Sequence, residues 1–260
     1  ADAADAAEPG RTSETPAQLT VAELEEALRA DPADVGRYVQ LAESYTAEHR
    51  YREAYQTLKK GIQAAGGNDL QVQALLEDAQ IRMVRAQLAI AERRAASEAT
   101  QEAADLARRF RAELNRQELA VFAARSERFP EDLAIRFELG VRLRREGKYR
   151  EAIACFEAAR ADRSRRALAT LEMGECFQQL KQYVNALKCY QSAAADAESG
   201  SALQKLALYR GGVLASALKN VEVAKDLLSQ LVALDAAYRD ASARLDKLRQ
   251  IQDISEFQQD

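Results

Sequence analysis

The chain repeats one motif in fixed register. Leu139-Gly140, then Tyr149, Ala152, Phe156 and Ala159, recur as Met173-Gly174, Tyr183, Ala186, Tyr190 and Ala193, every position shifted by 34. An earlier copy, Leu41-Ala42 with Tyr51, Ala54, Leu58 and Gly61, keeps the same internal spacing. A looser copy follows as Gly211-Gly212 with Val221, Ala224, Leu228 and Leu231, lagging the third by 38 rather than 34, so 197–201 is read as a lengthened loop. A period of this size marks units that cannot bury their apolar faces alone and must stack on their neighbours. Length is then a poor guide to domain count, because 260 residues can be one array.

Composition agrees with helix. Apolar residues make up 47 %, much of that alanine, against 11 Gly, 4 Pro and no Trp. That mixture favours helices and lacks the β-branched and aromatic residues of strands. The expectation is an all-α chain. A net charge of −4 with 30 % charged residues gives a mixed-sign surface with no basic excess for a phosphate backbone, which argues against nucleic acid as a partner. No apolar run approaches the ~20 residues of a membrane span. The first residue is not Met, which suggests that an upstream segment is removed. Three cysteines, Cys155, Cys176 and Cys189, form no C-x-x-C pair; Cys155 and Cys189 occupy one slot of successive repeats and read as small apolar packing. With no disulfide framework, the cytoplasm is the preferred compartment, and a processed or periplasmic form stays open. Heavy use of Ala, and of Arg over Lys, points to a GC-rich bacterial genome.

Each repeat resolves into two antiparallel helices. In 133–145, Arg136, Leu139, Gly140 and Leu143 share a face; Glu146-Gly147-Lys148 makes the turn; 149–160 returns. Gly140, Gly174 and Gly212 each cost roughly 1 kcal/mol inside a helix relative to Ala, so close approach of the partner helix must justify them. Ala152, Ala186 and Ala224 are the expected facing positions, with Tyr149 and Tyr183 wedged at the turns. On these small and aromatic positions the chain resembles tetratricopeptide repeat (TPR) proteins, whose units are 34-residue helix-turn-helix pairs. The resemblance covers about 135 residues and implies an α-solenoid; the motif encodes packing rather than chemistry.

The rest of the chain divides around the repeats. Residues 1–19 are read as a flexible acidic lead-in, and 20–67 as an N-terminal helix plus the first repeat, with a helix stop at Asp31-Pro32. Between Gly67 and Pro130 there is neither Gly nor Pro, and Val72, Leu76, Ala79, Met83, Ala86 and Ile90 step as a heptad seam that resumes, out of phase, as Ala96, Ala99, Ala103, Leu106 and Phe110. Region 68–129 is therefore one long helix, ~90 Å if unbroken, or a long hairpin bent near 96–100, in preference to two eroded repeats. Three repeats fill 130–234. A capping helix spans 235–252, its stripe Tyr238, Ala241, Leu245 and Leu248 covering the last repeat. The tail, 253–260, is expected to fray, although Ile254 and Phe257 could dock.

Catalysis finds no foothold in the pattern. The single histidine, His49, lies in a turn, and no phosphate loop, nucleophile elbow, metalloprotease or Ca²⁺ motif occurs. No catalytic, cofactor or metal residue is assigned, and the chain is read as non-enzymatic. Binding is better constrained. If positions 4, 7, 8 and 11 of each repeat pack inward, positions 2, 5, 9 and 12 line the concave side. Over the last three copies these include Phe137, Val141 and Arg144; Leu168, Leu171, Glu175 and Gln178; Leu206, Tyr209 and Val213. TPR proteins that hold the C-terminal carboxylate of a heat-shock chaperone carry Lys and Asn where Phe137 and Val141 stand, which argues against that subclass. The leading expectation is a protein-interaction scaffold whose groove takes a peptide or amphipathic helix of a partner protein, unless the chain's own helices cover it. The alternative is a structural protein that self-assembles through 68–129, along the Val72–Ile90 seam; a third reading is a thiol-responsive accessory module.

Overall fold

A computed structural model describes the backbone of residues 19–257 and the side chains of 19–250. Within them are twelve α-helices and no strand. Two compact units meet at Leu114/Asn115, inside the region read from sequence as one helical insert. The lead-in, save Leu19, and residues 258–260 lie outside the described residues, as do the side chains of Ile254 and Phe257.

Unit 1 begins with α1 (Val21–Ala30). A capping box sets its start: the Thr20 N–H donates to Glu23 Oε2 at 2.7 Å while Thr20 Oγ1 accepts from the Glu23 N–H at 3.3 Å. It stops ahead of Pro32 and presses Leu24, 2 % exposed, onto the first repeat, α2 (Val35–Ala47) and α3 (Tyr51–Ala64). Gly66 and Gly67, both left-handed, end the repeat, and Asp69 caps α4 (Leu70–Glu98) by accepting from the Gln71 and Val72 N–H groups.

The long insert is a hairpin rather than one rod. Ala99 takes φ 50°, ψ 27°, Thr100 Oγ1 accepts from the Ala103 N–H, and α5 (Gln101–Arg128) begins. No Gly or Pro announced this bend; burial of both helices outweighs the roughly 1–2 kcal/mol of a left-handed alanine. Glu92 of α4 pairs with Arg111 of α5 at 2.5 Å. The heptad seam needs correction. Val72 and Ala79 are buried beneath α3, but Ile90 is 62 % exposed, and the later turns bury Ile81, Val84, Leu88 and Ala91 instead. The buried side of α4 thus swaps to roughly the opposite face along its length. The self-assembly alternative thereby loses a continuous outward seam.

Unit 2 holds the second half of α5, then three pairs: α6 (Leu133–Arg145) with α7 (Tyr149–Ala159), α8 (Arg166–Gln179) with α9 (Tyr183–Asp196), and α10 (Ala202–Ala217) with α11 (Val221–Leu234). The extra residues 197–201 form the α9–α10 loop, and Ser201 caps α10. Glu118 of α5, 2 % exposed, is held by Arg142 and Arg145 of α6, and the Arg142 guanidinium lies 4.2 Å over the Phe122 ring. The repeat glycines do admit a partner, though not the expected one. A methyl group on Gly140, Gly174 or Gly212 would come within 2.8, 2.6 and 2.7 Å of Phe156, Tyr190 and Leu228, four residues beyond the alanines anticipated. Ala152, Ala186 and Ala224 are fully buried. Tyr149 packs at the edge of the core, whereas Tyr183 is 39 % exposed.

The turns inside the four repeats share one closure. His49, Gly147, Lys181 and Lys219 occupy the same slot, each with φ between 59° and 75°. The next residue's N–H donates back five positions: Arg50 to Tyr45 O, Lys148 to Leu143 O, Gln182 to Phe177 O and Asn220 to Ala215 O, at 2.8–2.9 Å. These bonds satisfy carbonyls that a helix end would leave open. Behind α11, α12 (Ala241–Phe257) lays Ala241, Leu245 and Leu248 on the last repeat as the stripe anticipated. It stays helical through Phe257, where fraying was expected.

Candidate functional site

The repeat register brings one face of α8 and one face of α10 together in unit 2. Between them lies a cavity of about 310 Å³, with Glu175, Gln178 and Gln179 from α8 and Tyr209, Arg210, Val213, Leu214 and Ala217 from α10 along its walls. Tyr190 closes its floor, its hydroxyl donating to Gln178 Oε1 at 2.8 Å. Tyr209, Val213 and Ala217 succeed one another at four-residue steps, so they present one apolar ridge.

Charges line the other wall as a ladder. Arg144 of α6 reaches Glu172 at 2.6 Å and Glu175 at 2.8 Å, and Glu175 also takes Arg210 of α10. Burial pushes the Arg210 pKa below the usual guanidinium value, with the Arg144 and Arg239 charges pushing the same way and Glu172 opposing them. The ladder ties three successive repeats across the groove. At its far end Tyr209 meets Tyr238, ring centroids 5.8 Å apart, and donates its hydroxyl to Asp240 at 2.7 Å.

Four of the ten anticipated groove residues, Glu175, Gln178, Tyr209 and Val213, line the cavity, and Arg144 joins them through Glu175. Phe137 and Leu171 do not. Phe137 is 5 % exposed with its ring 5.6 Å from Phe156, and Leu171 is 2 % exposed. Both are position 5 of a copy with repeats behind it, and there stacking converts that position to core. Val141 and Leu206 are half-buried against the cores of their own pairs, and Leu168 is 36 % exposed outside the cavity.

Unit 1 contains another cavity, of about 290 Å³, away from the residues anticipated in the last three copies. Val39, Glu43 and Thr46 of α2 face Leu75, Asp78 and Arg82 of α4 across it, above Leu58. Val39, Glu43 and Thr46 are positions 5, 9 and 12 of the first copy, so extending the groove rule to that copy would have found it.

The thiols are not poised for chemistry. Burial pushes the Cys176 thiol up to about 12, and burial raises Cys155 and Cys189 as well, the opposite of an activated thiolate. That removes the physical basis for the thiol-responsive reading. Among the described residues no three His, Cys, Asp or Glu side chains group as metal ligands, and no helix is long and apolar enough to cross a membrane. His49 is exposed, with Nδ1 2.9 Å from the Tyr51 hydroxyl.

No protein-family model matches the sequence, and no curated protein does. Solved structures do. The chain is similar to a chain of the Naa15/Naa10 complex bound to HypK-THB, with TM-score 0.58 and 14 % identity over 88 % of this chain and 31 % of that one. It is similar to the C-terminal part of a TPR repeat-containing protein from Cytophaga hutchinsonii, with TM-score 0.52 and 13 % identity over 86 % and 93 % of the two chains. YrrB, described as a TPR protein with an unusual peptide-binding site, gives TM-score 0.50 and 13 % identity over 86 % and 98 %. The fold is the tetratricopeptide type. Identities this low carry the TPR architecture and nothing of partner or pathway.

Proposed function

We propose that this TPR-type chain is a protein-interaction scaffold and that the groove between α8 and α10 takes an extended peptide or an amphipathic helix of a partner protein. The observation that carries the reading is the apolar ridge of Tyr209, Val213 and Ala217 standing open beside a charge ladder whose members neutralise one another. An apolar side chain laid on that ridge gains about 25 cal/mol per Å² buried, while the ladder's rigid carboxylates and guanidiniums orient the chain that carries it. Peptide binding by YrrB is consistent with this use of the fold.

Photocrosslinking in the native host tests it. A benzophenone amino acid at Gln179, exposed on the groove wall, is expected to capture a protein partner, and Ala217→Arg, a helix-compatible block at an exposed position, is expected to abolish that capture. Capture equal to that from a probe at exposed Glu151, or capture that survives Ala217→Arg, would overturn the assignment.

A further inference from the structure

We propose that the segment held in this groove carries an acidic side chain two residues from a large apolar one, and that Arg239 receives the acid; the proposal rests on the peptide-binding reading above. Arg239 sits on the turn between α11 and α12, outside the repeats, in the left-handed conformation at φ 51°. Its guanidinium carbon lies 4.8 Å from the centroid of Tyr209 and 5.5 Å from that of Tyr238, so two aromatic faces hold the cation at the end of the apolar ridge. Tyr209 is itself fixed by its bond to Asp240, which Arg244 grips at 2.8 Å.

The charge count singles this cation out. Glu172 and Glu175 are taken up by Arg144 and Arg210, and Asp240 by Arg244. Three acids thus meet three of the four arginines. Arg239 is exposed and has no ion pair among the described residues, so the unmatched positive charge at the groove is its own. A carboxylate from outside would complete it, whereas a basic ligand would find every acid already engaged. The reach follows from the helix. Val213 lies one turn beyond Tyr209, ~6 Å along α10 at 1.5 Å per residue. Same-side residues of an extended peptide repeat at nearly that distance, about 6.6 Å. An acid over Arg239 therefore places the side chain two residues away against Val213 and Ala217. A single stacked guanidinium, with no second unpaired arginine beside it among the described residues, suits a side-chain carboxylate rather than a chain terminus.

Selection of random dodecapeptides, displayed with their C-termini fused so that only side chains offer carboxylates, on the intact 260-residue chain tests this. Recovered peptides are expected to place Asp or Glu two residues from a large apolar residue. As soluble peptides they are expected to bind Arg239→Gly, a change the left-handed turn accommodates, about tenfold more weakly than the parent. Replacing the peptide acid by its amide should cost the same factor on the parent and little on Arg239→Gly. Recovered peptides with no acidic preference, or an amide penalty undiminished in Arg239→Gly, would overturn the role of Arg239 while leaving the groove a peptide site. If no peptide prefers the parent over Ala217→Arg, the peptide-binding reading falls and this inference with it.

Discussion

The first repeat and the three behind it close the same joint with different atoms. In unit 2 a glycine of the leading helix stands against a bulky side chain of the return helix: Gly140 with Phe156, Gly174 with Tyr190, Gly212 with Leu228. In unit 1 Ala42 holds the glycine's place, Leu58 stands in the ring's slot, and the glycine is on the return helix, where Gly61 lets the α3 backbone approach Tyr38. Smallness is thus a property of the helix pair, and either helix can supply it. The repeat persists through sequence change because the joint conserves distance rather than residue type.

The sharpest way to break this comparison is Gly174→Ala. Helix propensity alone predicts a gain of about 1 kcal/mol. Packing predicts the reverse, a loss of about 2 kcal/mol, because the new methyl would lie 2.6 Å from the fully buried Tyr190 ring and 3.2 Å from Cys189 Cβ. Urea denaturation gives the sign directly. Next in size, Ala42→Gly in unit 1 should lose about 1 kcal/mol, since Leu58 leaves room for the methyl and the helix gains only flexibility; a neutral result there would mean the two joints are not equivalent.

The turn slot sharpens the same comparison. Gly147 already occupies it in one repeat, while His49, Lys181 and Lys219 bear left-handed strain in the others. Lys181→Gly should stabilise by about 0.5 kcal/mol, and Gly147→Ala should destabilise by about 1 kcal/mol. Thermal midpoints moving together in either direction would contradict a shared closure. The effect that is smallest near neutral pH concerns a thiol. Since Cys176 is raised from 9.0 to about 12, its protonated form favours the fold fully below pH 9, and that contribution fades as pH rises from 9 toward 12. Cys176→Ala should flatten the alkaline loss of thermal stability relative to the parent, and native protein at pH 8.5 should leave Cys176 unalkylated by iodoacetamide.

What could be read in the residues follows the same logic. Period, glycine positions, the 197–201 loop and the Tyr238–Leu248 cap were legible because each rests on spacing within one or two helices. The hairpin bend is not legible in the sequence because Ala99 adopts its left-handed turn without a Gly or Pro to mark it. Ile90 misled because a heptad pattern shows that a stripe is apolar, not which neighbour it meets. Phe137 and Leu171 failed as groove residues for the same reason: helical periodicity assigned their face, and stacking by the next repeat buried it. Arg239 lay outside the motif altogether and was visible only once α12 folded back beside Tyr209.

Calorimetric titration of a peptide recovered by selection into the parent chain and into Ala217→Arg, after equal thermal midpoints are established, tests the central claim most directly. Binding at least about tenfold weaker in the blocked variant is the expected result. Equal affinity in both would mean that the open flank between α8 and α10 is not where this protein meets its partner.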